Sequence, residues 1–190
     1  ENSKGFLYPE NGDDKWLKSI CPAAGLRSQE YSDASVWGRA AGVYAGWSAD
    51  DEIRKKSSSG GILSEAAIFL LEKGMVDGII QTAADRDIAY KNTGRISYTK
   101  EEVLSCCGSR YSVSHPLEMI KYTDKNKKYA IIGKPCDITA FRNLAALHPE
   151  LSVQFPYMLS FFCMGVPSDD AQKKLLEYLE CDSETCSEIK

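Results

Sequence analysis

Residues 129–142 place an apolar β-rich run, a glycine, a lysine, a proline and a cysteine in immediate succession, and this stretch restricts the fold most. Residues 129–132 suit a short buried strand. Gly133 turns the chain without steric cost, and Pro135 fits the first helical position, where its missing N–H is not needed. Cys136 then falls in the first helical turn. Unpaired amides and the positive end of the helix there favour a thiolate, the form that binds metal or attacks an electrophile. Lys134 adds to that effect and Asp137 opposes it. The cysteine reads equally as a small apolar group packed beneath a strand–helix corner.

Other segments follow the same alternation. Residues 43–47 alternate apolar and small side chains as a strand does, and residues 50–56 read as a charged loop. Ser57, Ser58, Ser59, Gly60 and Gly61 lead into a helix over residues 62–73. Its Ile62, Leu63, Ala66, Phe69 and Leu70 predict a largely buried element. A serine of the triplet is expected to cap it, and Gly74 to end it in the left-handed conformation. A strand is expected over residues 75–82, with Asp77 as a hydrogen-bonded core acid. Strand, Ser/Gly loop, helix, strand is the order in which helix amides hold a phosphate. A flexible serine linker capped into a helix is the other reading, and the loop matches neither the dinucleotide fingerprint nor the P-loop.

Residues 85–94 read as a polar loop, and Thr99 with Glu102 forms a capping box that starts a short helix ending near Ser105. Cys106 and Cys107 read as packing residues. Gly108, Ser109, Arg110 and Tyr111 offer a turn, a hydroxyl, a guanidinium and a ring, a set suited to an anionic planar ligand. Helices are expected over residues 114–123 and 138–147, and a buried strand over residues 155–162. A last helix starts at Asp169 and runs to about Glu180, with Ala171, Leu175, Leu176 and Leu179 on one face. His115 and His148 each precede a proline and read as surface residues. The pattern predicts an α/β fold with a mixed or largely parallel sheet flanked by helices. Residues 1–40 read as an irregular N-terminal lead-in segment and residues 41–190 as a core truncated at its C-terminus, in a piece of a longer protein.

The 190 residues, 43% hydrophobic, suffice for one good core. A net charge of −4 with no basic concentration beyond residues 54–56 and 125–128, read as solvated turns, argues against a nucleic-acid partner. The longest apolar run, residues 157–166, is interrupted by Ser160 and is half of what a membrane span needs. Seven irregularly spaced cysteines suggest a reducing compartment, the cytoplasm by default, and thiol or metal chemistry rather than a disulfide framework. Cys136 and Cys163 each lie at the end of an apolar strand, beside glycine and proline. If those strands are neighbours, both sulfurs face one site at the strand carboxyl ends, where α/β sheets bind ligands. Zinc or an iron–sulfur cluster normally takes four ligands, and no Cys-x-x-Cys occurs.

Taken in order, residues 58–61, the helix into residues 74–78, the 99–104 helix running into residues 108–111, residues 133–138 with Arg142, and residues 162–168 resemble the coenzyme F420 hydrogenase/dehydrogenase beta-subunit family. The likeness spans about residues 43–179. Members of that family are flavin and iron–sulfur proteins that pass electrons between reduced partners and a small redox substrate, a deazaflavin in the namesake. The resemblance implies that Ser57, Ser58, Ser59, Gly60 and Gly61 and the turn Gly108, Ser109, Arg110 and Tyr111 lie around FAD. Gly133, Lys134 and Pro135 join them as cofactor-binding positions, with Lys134 or Arg110 placed to stabilise an anionic reduced flavin. Cys136 and Cys163 look like two ligands of a 4Fe-4S cluster. Family members usually add downstream cysteines spaced Cys-x-x-Cys, whereas Cys181 and Cys186 here are spaced differently. Only Cys21 and Pro22 hint at an upstream ferredoxin-like cluster.

The implied activity is a flavin-dependent oxidoreductase with an iron–sulfur or ferredoxin-type redox partner and a small redox substrate such as coenzyme F420, in a homo- or hetero-oligomer. A scaffold or interaction domain of the same fold, as in relatives linked to surface-polysaccharide synthesis, is the competing class. A thiol enzyme using Cys136 is the third.

Overall fold

The computed structural model describes residues 4–6, 8, 14–25 and 40–182. Its centre is a four-stranded mixed sheet in the order β2-β1-β3-β4. Strand β1 (Gly78–Ala84) pairs antiparallel with β2 (Asn92–Ser97), with Ile79 opposite Ser97 and Ala84 opposite Asn92. Strand β3 (Tyr129–Gly133) lies parallel to β1, and β4 (Tyr157–Ser160) parallel to β3, with Gly133 opposite Ser160. The carboxyl ends of β1, β3 and β4 therefore share one edge.

Side chains alternate across a pleated strand, so each face of this sheet carries its own core. On one face Ile79, Ala130 and Ile132, with Tyr157 and Leu159, pack beneath helix α3 (Ile62–Glu72) and helix α4 (Lys100–Leu104). On the other, Ile80, Tyr129 and Ile131, with Met158, meet α5 (Pro135–Leu147), α6 (Pro149–Gln154) and the 3₁₀ segment Pro116–Tyr122. Phe141 stands edge-on to Phe155 at 5.2 Å between ring centroids, and Tyr129 lies 5.8 Å from Phe155. Helix α7 (Asp169–Tyr178) closes the described chain.

Several expectations are corrected. The lead-in segment contains helix α1 (Asp14–Ile20) and a 3₁₀ turn at Pro22–Ala24, anchored by the Asn143 amide donating to the Ile20 carbonyl at 2.9 Å. Residues 43–47 pair with no strand among the described residues. Alternation makes a strand only where a neighbour supplies hydrogen bonds and a surface to cover, and Tyr44 is 93% exposed. Residues 50–56 are not a loop but the cap and body of helix α2 (Asp51–Lys56). Asp50 accepts from the Glu52 and Ile53 amides, acids fill the first turn, bases fill the last, and Ile53 is buried. The Lys100 ammonium, 2.7 Å away, holds the Asp50 carboxyl below the usual carboxylate range.

Gly61, rather than a serine, occupies the cap of α3. Only Ala67, Ile68 and Leu70 of that helix are fully buried, while Ile62 and Phe69 are half exposed. Gly74 ends the helix in the left-handed region as expected, at φ 62°. The Met75 and Val76 amides fold back onto the Leu70 carbonyl, so β1 begins only at Gly78. Asp77 is hydrogen-bonded but exposed, accepting from the Lys128 amide at 2.8 Å. The polar loop ends at Lys91, because Asn92–Ser97 is strand β2. Pro116–Tyr122 forms a 3₁₀ helix, and the expected strand at residues 155–162 shortens to the half-buried edge strand β4, beyond which Phe162 is fully exposed. Helix α7 buries Asp169, Gln172 and Leu176 and leaves Leu175 and Leu179 outward. Among the described residues no helix is long and apolar enough to cross a membrane.

Candidate functional site

The sheet's carboxyl edge gathers most of the candidate residues. Helix α5 leaves this edge directly after β3. Helix α3 enters β1 through a five-residue turn, so it runs against the strand and its amino end points back toward the same edge. The segment from Gly108 to Ser114 threads between them. Ser109 donates to Ser58 at 2.8 Å, Ser112 donates to the Tyr90 carbonyl, and the Asn92 amide donates to the Ser112 carbonyl at 3.1 Å. Ser114 receives Lys134 Nζ at 2.6 Å on its hydroxyl and 3.0 Å on its carbonyl. The Gln172 side-chain amide donates to the Tyr111 carbonyl and fastens α7 to the same segment.

At the start of α3, Gly60 and Gly61 both adopt positive φ, 73° and 79°, with Ser59 at φ 51° before them. A side chain at Gly60 would sit 2.9 Å from the Trp47 Cβ. Among the described residues no side chain caps α3, so its first amides lack the usual hydroxyl or carboxylate acceptor. Glu65 in the first turn is turned aside, accepting from the Ser48 hydroxyl at 2.5 Å. Ser57 donates to Ser64 at 3.1 Å, and Ser64 meets the buried Cys107 Sγ at 3.0 Å. The positive-φ glycines let the loop close tightly on Trp47 and Ile53, and the start of α3, left without a side-chain cap, is the kind of helix end that can receive an anionic group such as a phosphate.

Lys134 and Asp137 form a clamp at the start of α5. The Asp137 carboxylate accepts from the Lys134 amide at 3.0 Å and pairs with its ammonium at 2.9 Å. Lys134 is thereby spent on Asp137 and Ser114, and its side chain is 12% exposed. Burial, and then the Asp137 carboxylate, push the Cys136 thiol above its ordinary value, with Lys134 acting in the opposite sense. The residue as a whole remains exposed, so the desolvation is confined to one side of it. The helix-start amides still act toward the thiolate, as expected, but burial and Asp137 outweigh them.

Cys163 follows Ser160 by three residues as Cys136 follows Gly133, and Ser160 is opposite Gly133 in the sheet. The two cysteines thus leave neighbouring parallel strands at matched positions. Among the described residues no three His, Cys, Asp or Glu side chains converge as a metal site. Two thiols alone do not complete a four-ligand cluster. Cys21 and Cys181 are exposed, Cys106 is buried with its thiol pushed up by that burial, and Cys186 lies outside the described residues.

Ser112, Ser114 and Gln172 were not among the sequence candidates, and nothing local distinguishes them. Their partners lie 20 to 61 residues away. A cavity of about 720 Å³ lies at the opposite, amino edge of the sheet. It is lined by Lys125, Lys127, Lys128, His148, Leu151 and Gln154, and holds none of the candidate cofactor residues.

Comparison with known proteins places two adjacent family models on the chain. The N-terminal model for the coenzyme F420 hydrogenase/dehydrogenase beta subunit matches residues 43–121, and the C-terminal model matches residues 126–190. The coenzyme F420 hydrogenase subunit beta of Methanococcus voltae is 32% identical over 138 residues, covering 67% of this chain and 47% of that protein. The F420-dependent formate dehydrogenase subunit beta of Methanocaldococcus jannaschii is 28% identical over 131 residues, 67% of this chain and 34% of that one. Among solved structures, a chain of the F420-reducing [NiFe] hydrogenase complex from Methanosarcina barkeri superposes with a TM-score of 0.66 at 25% identity. The match covers 76% of this chain and 52% of that chain. The chain thus spans about half the length or less of the curated relatives it matches.

Proposed function

The chain belongs to the coenzyme F420 hydrogenase/dehydrogenase beta-subunit family, and from that membership we propose that it is the FAD-binding portion of an electron-transferring oxidoreductase subunit. The observation that carries the reading is the uncapped start of α3, where Gly60 and Gly61 form a cradle and the Ser58–Ser109 hydrogen bond joins the two loops. Bound there, FAD supplies the exchange between one-electron carriers and a two-electron, hydride-accepting substrate.

The chain's own residues bind and orient. With the Gly61 amide spent on the Ser58 carbonyl, the remaining first-turn amides of α3 and the Ser58 hydroxyl, which accepts from Ser109 and keeps its own proton to give, receive the pyrophosphate, and Arg110 in the adjoining turn adds positive charge. Lys134, by holding Ser114 and Asp137, fixes the spacing between the 108–114 segment and the start of α5. Cys136 and Cys163 are proposed as two of four cluster ligands, supported by their matched positions after β3 and β4. The described residues do not complete that set, and no electron-transfer step is assigned to it. The proposed substrate is a small redox carrier such as coenzyme F420, and the proposed setting is a hetero-oligomer with an iron–sulfur partner, as the names of the relatives suggest for those proteins.

The test is an anaerobic titration of the chain with FAD, followed through the visible flavin bands and repeated with Arg110→Ala. Saturable binding, weakened roughly tenfold by loss of one charge-assisted contact with an unchanged circular dichroism spectrum, supports the proposal. Absence of any spectral change in the wild-type protein overturns it and leaves a scaffold of the same fold.

A further inference from the structure

We propose that Trp47 is the aromatic wall of the dinucleotide site, stacking on a planar ring of the ligand whose phosphates lie on the 58–62 loop; the inference rests on the FAD reading above. Trp47 is 63% exposed, yet it is not a loose surface residue. The amide of the next residue, buried Ser48, donates to the Gly60 carbonyl at 2.7 Å, and the Ser48 hydroxyl holds Glu65. The Trp47 Cβ stands so close to Gly60 that only glycine fits there. Its neighbours Val43 and Tyr44 are almost fully exposed, so the chain becomes anchored just where it meets the glycine cradle.

The ring is also oriented. The Arg54 guanidinium, from the last turn of α2, lies 5.7 Å from the indole centroid, within the range of a cation–π contact. Helix α2 is itself fixed by its Asp50 cap and by buried Ile53. One indole face therefore meets a cation from a positioned helix. A large aromatic surface kept out of the core and held beside a phosphate-type loop is suited to stacking with an aromatic group attached to that phosphate. FAD offers two such groups, adenine and isoalloxazine, and both share this chemistry.

The experiment uses the full chain with Trp16→Phe and Trp37→Phe, which leaves Trp47 as the only indole of the three. Collisional quenching of Trp47 by acrylamide is measured with FAD, ADP or FMN bound, because protection from a collider requires contact whereas energy transfer to a flavin does not. Protection by ADP assigns adenine to the indole, and protection by FMN assigns isoalloxazine. In parallel, Trp47→Ala is expected to weaken FAD binding roughly tenfold, and Trp47→Phe to restore most of it, as for stacking of bases on aromatic side chains. Tight FAD binding with Trp47 unprotected, together with unaltered affinity in Trp47→Ala, overturns the inference and leaves the FAD reading intact. Failure of the unsubstituted chain to bind FAD overturns both.

Discussion

Cys136 shows how a residue's neighbours decide its chemistry against its position. A helix start lowers a thiol's pKa through unpaired amides and the positive end of the dipole. Here burial on one side and the Asp137 carboxylate outweigh that, and Lys134, the one cation acting on it, is neutralised by Asp137 at 2.9 Å. The thiol is pushed away from its thiolate form, which argues against the nucleophile reading, while a bound metal ion would supply the charge that a ligand thiolate needs. Iodoacetamide at neutral pH is therefore expected to modify Cys136 more slowly than it modifies a simple thiol such as N-acetylcysteine. Asp137→Asn removes a negative charge and frees Lys134, so the reaction should accelerate several-fold and its pH midpoint should fall. Peptide mass spectrometry of alkylation against pH measures both; an unchanged or raised midpoint in Asp137→Asn would show that the carboxylate has no such role.

At the scale of elements, the short helix α4 depends on its cap. Thr99 Oγ1 accepts from the Glu102 amide at 3.3 Å, and Glu102 accepts from the Tyr98 amide at 2.6 Å. Five residues are too few to form a stable helix alone, so Thr99→Ala should cost about 1 kcal/mol in urea unfolding and Thr99→Ser much less. The Thr99 half of the expected box was legible because it is written in four consecutive residues, whereas Glu102 reaches back one residue further, to the Tyr98 amide. The β3–turn–α5 unit was legible for the same reason, Gly133 and Pro135 being local instructions. Strand β2 was not, because it has no apolar run. Its end residues Asn92 and Ser97 are buried polar groups, satisfied by the Ser112 carbonyl and by Gln81 at 2.9 Å. Helix α2 carried a readable Asp50 cap, but five charged residues around a single buried Ile53 gave no periodicity to set beside it. Within the site, the glycine and serine positions were legible and the Ser114–Lys134 and Tyr111–Gln172 contacts were not, since one sequence carries no record of which distant residues meet.

In the whole molecule, the sheet separates two cores that serve different ends. The proposed cofactor loops belong to the side of α3 and α4, where Cys107 packs with Ala67, Ile68 and Val103. Phe155 lies on the opposite side, fully buried against Tyr129 and Phe141, and ties the entry to β4 to β3 and α5. Phe155→Ala removes a large ring that the rigid sheet above it replaces only in part, and should cost about 3–5 kcal/mol, a large share of a domain's stability. Phe155→Leu should cost less, because it keeps more of the buried volume. Independent sites add to within 0.3–0.5 kcal/mol, so the folded fraction of Phe155→Leu should bind FAD within about twofold of the unsubstituted chain. Urea unfolding combined with flavin titration at low temperature measures the two quantities on one sample. A fall in affinity that tracks the fall in stability would mean that the sheet transmits packing changes from one face to the other, and that the carboxyl edge is set by both cores together.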